Sequence, residues 1–199
     1  DAEHSLGANG SYPVTCDTTA AGANFTAQSS FNPATLHQRL CEHPEYRRRF
    51  ADLVQKHLYG DGALAPTNAQ RRFQSRMNEI DLAIIGESAR WGRGRTRDAH
   101  WLPACNAVVN SYLTQRRDIV IGQFRARGWF PTIDAPSFSI MNRPVPRGQS
   151  VRISAPGAFY YTTNGTDPRL PDGSLNPAAV AVTLGNSPGG PRTLIARGA

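Results

Sequence analysis

The stretch Phe73–Trp91, which reads FQSRMNEIDLAIIGESARW, decides what kind of fold this chain can form. Six of its residues are spaced by four, three, four, three and four positions, which places them on one face of an α-helix. These residues are Phe73, Met77, Ile80, Ile84, Glu87 and Trp91. Because five of the six are large and apolar, we expect this face to pack against the core of a helical bundle.

Glu87 interrupts the apolar character of that face. A carboxylate in the middle of a buried face is costly unless it is paired and hydrogen-bonded. Arg90, three residues further on, is the nearest candidate partner. Glu87 is therefore either a catalytic group or half of a structural ion pair, since perturbed carboxylates occur in both roles. The structural role is favoured because no neighbouring catalytic constellation accompanies Glu87.

The composition is that of an ordinary soluble globular protein, with 199 residues, 39% of them hydrophobic and 19% charged. This length allows one domain or two small ones. No run of about 18 apolar residues is present, so no membrane-spanning helix is expected. The sequence begins at Asp1 without a visible signal peptide and stops at Ala199 within a predicted strand, so we expect a fragment of a longer protein.

The net charge of +7 comes almost entirely from arginine, since Lys56 is the only lysine. A basic run lies at Arg90, Arg93, Arg95 and Arg97. Such a run can bind phosphate or an anionic polymer. No nucleic-acid motif accompanies it, so a solvated surface is favoured and nucleic acid is not expected as a partner.

The three cysteines, Cys16, Cys41 and Cys105, are isolated, and no C-x-x-C pair is present. Neither a zinc site nor a thioredoxin-type redox site is therefore expected. The odd number leaves two alternatives open, which are one disulfide with a free thiol and three separate thiols. The histidines share no spacing typical of metal ligands.

The order of helix and turn signals predicts two parts with different secondary structure. Residues 1–32 form an irregular segment, and four helices follow, with an arginine-rich loop at Arg93–His100. The helices are predicted at Asn32–Cys41, Pro44–Gly60, Thr67–Gly92 and Pro103–Gly128. After the extended linker Trp129–Pro136, β-forming residues predominate and helix signals vanish.

Four predicted strands in this second part suggest a small Ig-like β-sandwich, with a tight turn at Asn164-Gly165. The strands are expected within Ser150–Ala155, Ala158–Thr163, Val180–Leu184 and Thr193–Arg197. The fold class is therefore α+β and multidomain. We place a mainly helical domain at residues 1–140 and a β module at residues 145–199, with the boundary between 136 and 145.

Several stretches of the first part together resemble the CotH-like family, bacterial proteins related to the spore-coat kinase CotH. The resemblance covers about residues 1–140, and its most specific piece is the ESARWG core of Ile80–Gly92. The other pieces are Asp1–Leu6 (DAEHSL), Asn32–Phe50 (NPATLHQRLCEHPEYRRRF), Trp101 and Gly128–Pro131 (GWFP).

This resemblance implies the C-terminal lobe of an atypical kinase-like fold, whose family transfers the γ-phosphate of ATP to serine or threonine with Mg²⁺ bound by carboxylates. Asp1 is similar to the metal-binding aspartate of the family's W-D-x-D/E motif, and Glu3 stands at its second acidic position. The resemblance places the nucleotide-binding lysine and the catalytic aspartate upstream of Asp1. Residues 1–199 are therefore expected to be inactive alone, and kinase activity of the complete protein stays open.

The stretch Ala158–Arg169, AFYYTTNGTDPR, resembles the chitobiase/β-hexosaminidase C-terminal-type module, an Ig-like accessory domain. Asn164 and Thr166 replace the usual Asp and Ser, and both replacements keep the chemistry of a turn. This resemblance covers about residues 145–199, without the final strands of the module.

Two functions from different classes follow from these resemblances. The first is a fragment of a secreted or cell-surface bacterial CotH-like protein, whose partners are the upstream part of the same polypeptide and a protein substrate or cell-surface partner. The second is a non-catalytic extracellular structural or adhesion protein with a carbohydrate-enzyme-type accessory module. Binding of an anionic polymer through Arg90–Arg97 is a further alternative.

Overall fold

The computed structural model describes residues 5–7, 12–19, 33–140, 146, 149–182 and 195–198. It has a mixed α+β fold, as the sequence predicts. The chain divides into two compact units, of which the first comprises Asp1–Arg39 and Leu53–Trp129 and the second comprises Leu40–Asp52 and Phe130–Ala199. The division into domains at 1–140 and 145–199 stays a prediction.

The helices occupy the regions in which the sequence predicts them. Their bounds are Pro33–Leu40 (α1), Pro44–Leu58 (α2), Pro66–Trp91 (α3), Leu102–Ala107 (α4) and Leu113–Ala126 (α5). Gly60 and Gly128 follow α2 and α5 with φ angles of 53° and 68°, a left-handed conformation that glycine adopts at little cost. The predicted ends of these two helices are therefore confirmed.

The predicted start of the last helix at Pro103 is wrong. Helical structure begins with a π-helical turn at Arg97–Trp101, and a second π-helical turn, Val108–Tyr112, joins α4 to α5. The hydroxyl of Thr96 accepts a hydrogen bond from the Ala99 N–H at 3.2 Å and so caps the first turn. Proline lacks an N–H and disrupts the α-helical pattern one turn earlier, which is where this π-helical turn lies.

The first unit packs around α3 and α5. Among its described residues, the buried apolar side chains are Val54, Ala65, Met77, Val108 and Ile121. The Gln70 side chain donates a hydrogen bond to the Val109 carbonyl at 2.8 Å, at the second π-helical turn. This contact holds α3 against the second π-helical turn.

The second unit contains two small antiparallel sheets. Its strands are Ser137–Phe138 (β1), Ile153–Ser154 (β2), Phe159–Thr162 (β3), Val180–Val182 (β4) and Ile195–Gly198 (β5). One sheet pairs β1 with β2, and the other has the order β4-β3-β5, in which Tyr160 lies opposite Ala181 and Arg197. Each predicted strand region contains a strand, whereas β1 lies just after the predicted linker and was not expected.

Within the described residues of the second unit, Ile153, Phe159 and Tyr161 form a hydrophobic cluster of buried side chains. The predicted turn follows β3, where Gly165 has a φ of 80°. The Asn164 side-chain oxygen accepts hydrogen bonds from the Thr166 N–H at 3.1 Å and from its hydroxyl at 2.7 Å. An Asx turn therefore forms at this predicted turn.

Arg197 of β5 binds two carboxylates within the second unit. It donates to Asp52 of α2 at 2.8 and 2.6 Å and to Asp167 at 2.7 Å through each of two nitrogens. Arg48, also from α2, donates to the Pro171 carbonyl at 2.6 Å. These contacts explain why the first part of α2 belongs to the same compact unit as the strands.

Candidate functional site

The packed face of α3 differs from the predicted one. Ile80 and Trp91 are 44% and 62% exposed, and Glu87 is exposed as well. The residues that are buried or half-buried follow a row rotated slightly around the helix. Between Phe73 and Trp91 they are Phe73, Met77, Asp81, Ile84 and Ser88.

Glu87 is therefore not a buried carboxylate, and the prediction that it forms a structural pair with Arg90 is wrong. Within the part of the chain that the structure describes, no ion pair joins these two residues. Arg90 instead places its guanidinium 5.0 Å from the centroid of the Trp91 ring, a cation–π contact. Because Glu87 faces solvent, it carries none of the desolvation cost that led us to expect a partner. Its catalytic role stays a prediction.

The carboxylate on the packed side of α3 is Asp81. It accepts two hydrogen bonds from Arg97, at 2.8 Å from Nε and 2.9 Å from Nη2. Arg97 also pairs with Asp98, and hydrogen bonds from Arg97 to Asp81 and then to Asp98 raise the pKa of Arg97. This contact ties the first π-helical turn to the middle of α3. Helical spacing does not reveal it, because the two residues are 16 positions apart.

The loop between α3 and the π-helical turn is tightly built. The Gly92 N–H donates to the Ser88 carbonyl at 3.0 Å, and the Arg95 N–H donates to the Gly92 carbonyl at 2.7 Å. A Cβ at Gly92 would lie 2.3 Å from the Ser88 oxygen, so the loop requires glycine there. Arg93 and Gly94 follow with φ angles of 47° and 87°, which turn the chain away from the helix axis.

This loop and the last turn of α3 present a cationic surface, which we call the α3-end surface: Arg90, Trp91, Arg93 and Arg95. All four side chains are exposed. Across the described residues, neither Arg93 nor Arg95 forms an ion pair. Guanidinium groups bind carboxylates and phosphates through paired hydrogen bonds but do not lose protons near neutral pH. The surface is therefore suited to binding an anion rather than to acid–base chemistry.

The predicted metal ligands Asp1 and Glu3 lie outside the described residues, so this site stays a prediction. No group of three His, Cys, Asp or Glu side chains that could hold a metal ion occurs in the described ranges. Cys16, Cys41 and Cys105 form no disulfide, which favours the alternative with three separate thiols. Burial raises the pKa of the Cys105 thiol. Among the described helices, none is long and apolar enough to cross a membrane.

Comparisons with protein-family models, with curated proteins and with solved structures found no match. The CotH-like and accessory-module resemblances therefore rest on the sequence motifs alone. The kinase-like activity, the use of Mg²⁺ and ATP, and the extracellular location stay predictions.

Proposed function

We propose that this chain carries the C-terminal helical part of a CotH-like, kinase-like domain followed by an Ig-like module, within a secreted or cell-surface bacterial protein. The observation that supports this proposal is the position of the ESARWG core at the exposed end of the longest helix. Glu87, Arg90 and Trp91 contribute little to the core of their own unit. Residues that a helix does not need for packing are available for contacts with a partner or a substrate.

The proposed reaction is phosphoryl transfer to a protein hydroxyl. The oxygen of a serine or threonine attacks the γ-phosphorus of ATP, the bond to the β–γ bridging oxygen breaks, and ADP leaves. Asp1 and Glu3 would hold Mg²⁺, since carboxylate oxygens suit this cation, and the ion would neutralise charge on the phosphates. The hydroxyl proton passes to the catalytic aspartate that the family resemblance places outside residues 1–199.

The accessory-module part of the proposal is supported by the turn after β3. In the YYTTNGTDPR stretch, the Asn164 side chain closes an Asx turn onto Thr166. The Asp167 side chain accepts a hydrogen bond from the Arg169 N–H at 2.9 Å and so orders the following residues. The positions that carry the resemblance are thus used to shape one turn, which suits a structural spacer.

The kinase-like function is tested on the full-length polypeptide that contains this chain. We expect Mg²⁺-dependent ATP binding and transfer of labelled phosphate, both lost in Asp1→Ala and weakened in Glu3→Ala. Asp61→Ala is the matched control, because Asp61 is exposed and forms no ion pair in the described structure. Residues 1–199 alone should transfer no phosphate. A full-length polypeptide that does not bind ATP would disprove the kinase-like function and favour the non-catalytic adhesion or structural role.

A further inference from the structure

The end of α3 exposes apolar side chains beside its positive charges. Leu82 is 80% exposed and Ile85 is 53% exposed. Together with exposed Ala89 they lie three and four residues apart, so they form one row along the helix. This row runs towards the C-terminal end of α3, where the α3-end surface begins. Large aliphatic side chains at such exposure gain free energy when a partner covers them.

The arginines of the loop in the α3-end surface lie on an ordered backbone but have no acidic partners among the described residues. Arg97 is already paired with Asp81 and Asp98, whereas Arg93 and Arg95 have no acidic partner among the described residues. The hydrogen bonds around Gly92 fix the backbone that carries both arginines. A binding surface that is ordered beforehand loses less conformational entropy when its partner arrives.

We propose that the α3-end surface and the Leu82–Ala89 row bind an acidic polypeptide segment that also carries apolar side chains. Carboxylates match the planar donor pattern of arginine, and apolar side chains of the same segment cover Leu82 and Ile85. A nucleic acid fits less well, because its phosphates would leave the apolar row exposed. The Trp91 ring, moreover, already has the Arg90 guanidinium in cation–π contact with it. The inference goes beyond the proposed kinase-like function and does not depend on it.

The test uses a polypeptide of residues 1–199 and a synthetic peptide with leucine and glutamate at helical spacing. We expect calorimetry to detect binding that weakens as salt is added, with a change in tryptophan fluorescence because Trp91 is exposed. The double variant Arg93→Glu, Arg95→Glu should weaken binding about tenfold. Leu82→Ser should weaken it by a similar factor, about tenfold.

The matched control is Arg71→Glu, Arg72→Glu, which makes the same charge change at exposed positions of α3. This control should bind the peptide as the unchanged chain does, and circular dichroism should be equal for all variants. Equal loss of binding in the control would show that only net charge matters and would overturn the proposal. So would equal binding of a peptide with lysine in place of glutamate, or tighter binding of a single-stranded oligonucleotide.

Discussion

Replacing Arg197 by methionine should loosen the sheet β4-β3-β5 of the second unit. The guanidinium donates four hydrogen bonds of 2.6–2.8 Å to Asp52 and Asp167. Methionine keeps most of the apolar stem, so the variant removes mainly the charge and its hydrogen bonds. It also leaves two carboxylates close together without their shared cation.

The expected cost lies between two limits. Removing one partner of a fully buried pair costs about 3–5 kcal/mol, whereas an exposed pair contributes about 0.2–1 kcal/mol. The Arg197 side chain is 28% exposed, and those of Asp52 and Asp167 are 47% and 42% exposed. Solvent therefore screens both pairs in part, and we expect about 1 kcal/mol from each, or about 2 kcal/mol in total.

Hydrogen exchange of the β3 and β5 amides measures this change locally, since it reports the opening of the sheet. A loss of about 2 kcal/mol corresponds to exchange about thirtyfold faster. Arg152→Met is the control, because Arg152 is an exposed arginine of the same unit whose side chain has no ion pair in the described residues. Exchange in the Arg197 variant equal to that of the control would refute the assignment of this stability to the two ion pairs.

The difference should also depend on pH. Burial alone would raise the pKa of Asp167, but hydrogen bonds from the Arg197 side chain and the Arg169 N–H outweigh it and lower that pKa. A carboxyl group with a lowered folded-state pKa stabilises the fold above its unfolded pKa of about 3.9, and this stabilisation is lost as the pH falls further. The two exchange rates should therefore converge below about pH 4.

Four further substitutions test the first unit. Gly92→Ala should destabilise it by about 1–3 kcal/mol in urea unfolding, because the new Cβ would meet a carbonyl oxygen at 2.3 Å. Gly86→Ala should instead stabilise the unit by about 0.5–1 kcal/mol, because no atom lies near the added Cβ. A change of the same sign in the free energy of unfolding of both variants would contradict this pair of predictions. Burial lowers the pKa of His37, whose ring lies 4.7 Å from the Trp129 ring, so the free energy of unfolding should decrease as the pH falls below about 6.5. Urea unfolding followed by tryptophan fluorescence measures this free energy, and His37→Phe should abolish its dependence on pH. Met77→Ala should lower the free energy of unfolding by about 2–5 kcal/mol, because the Met77 side chain is buried. A loss no larger than that caused by substitutions at exposed positions would refute its burial.

Local sequence signals predicted most of the secondary structure because their causes are local. Gly60 and Gly128 end their helices through a backbone conformation that other residues avoid. Asn164 and Gly165 likewise form the turn after β3. In each case, residues within a few positions determine the conformation.

The features that involve distant residues were not predicted. The spacing of apolar residues predicted that Glu87 lies on the packed face of α3. In the structure the acidic residue on that face is Asp81, which binds Arg97. Arg197 likewise meets Asp52 across 145 positions of sequence. Such pairs depend on the tertiary fold, and one sequence contains no local pattern that indicates them.

The π-helical turn Val108–Tyr112 sets which side of α5 meets the core. A π-helical turn accommodates one residue more than an α-helical turn, so each of its residues turns the chain through a smaller angle. If the same five residues formed ordinary α-helix, everything that follows would be rotated by about 90°. Ile121, now buried, would then be turned out of the core. The conformation of one short segment, with no change of sequence, therefore determines which residues of α5 are buried.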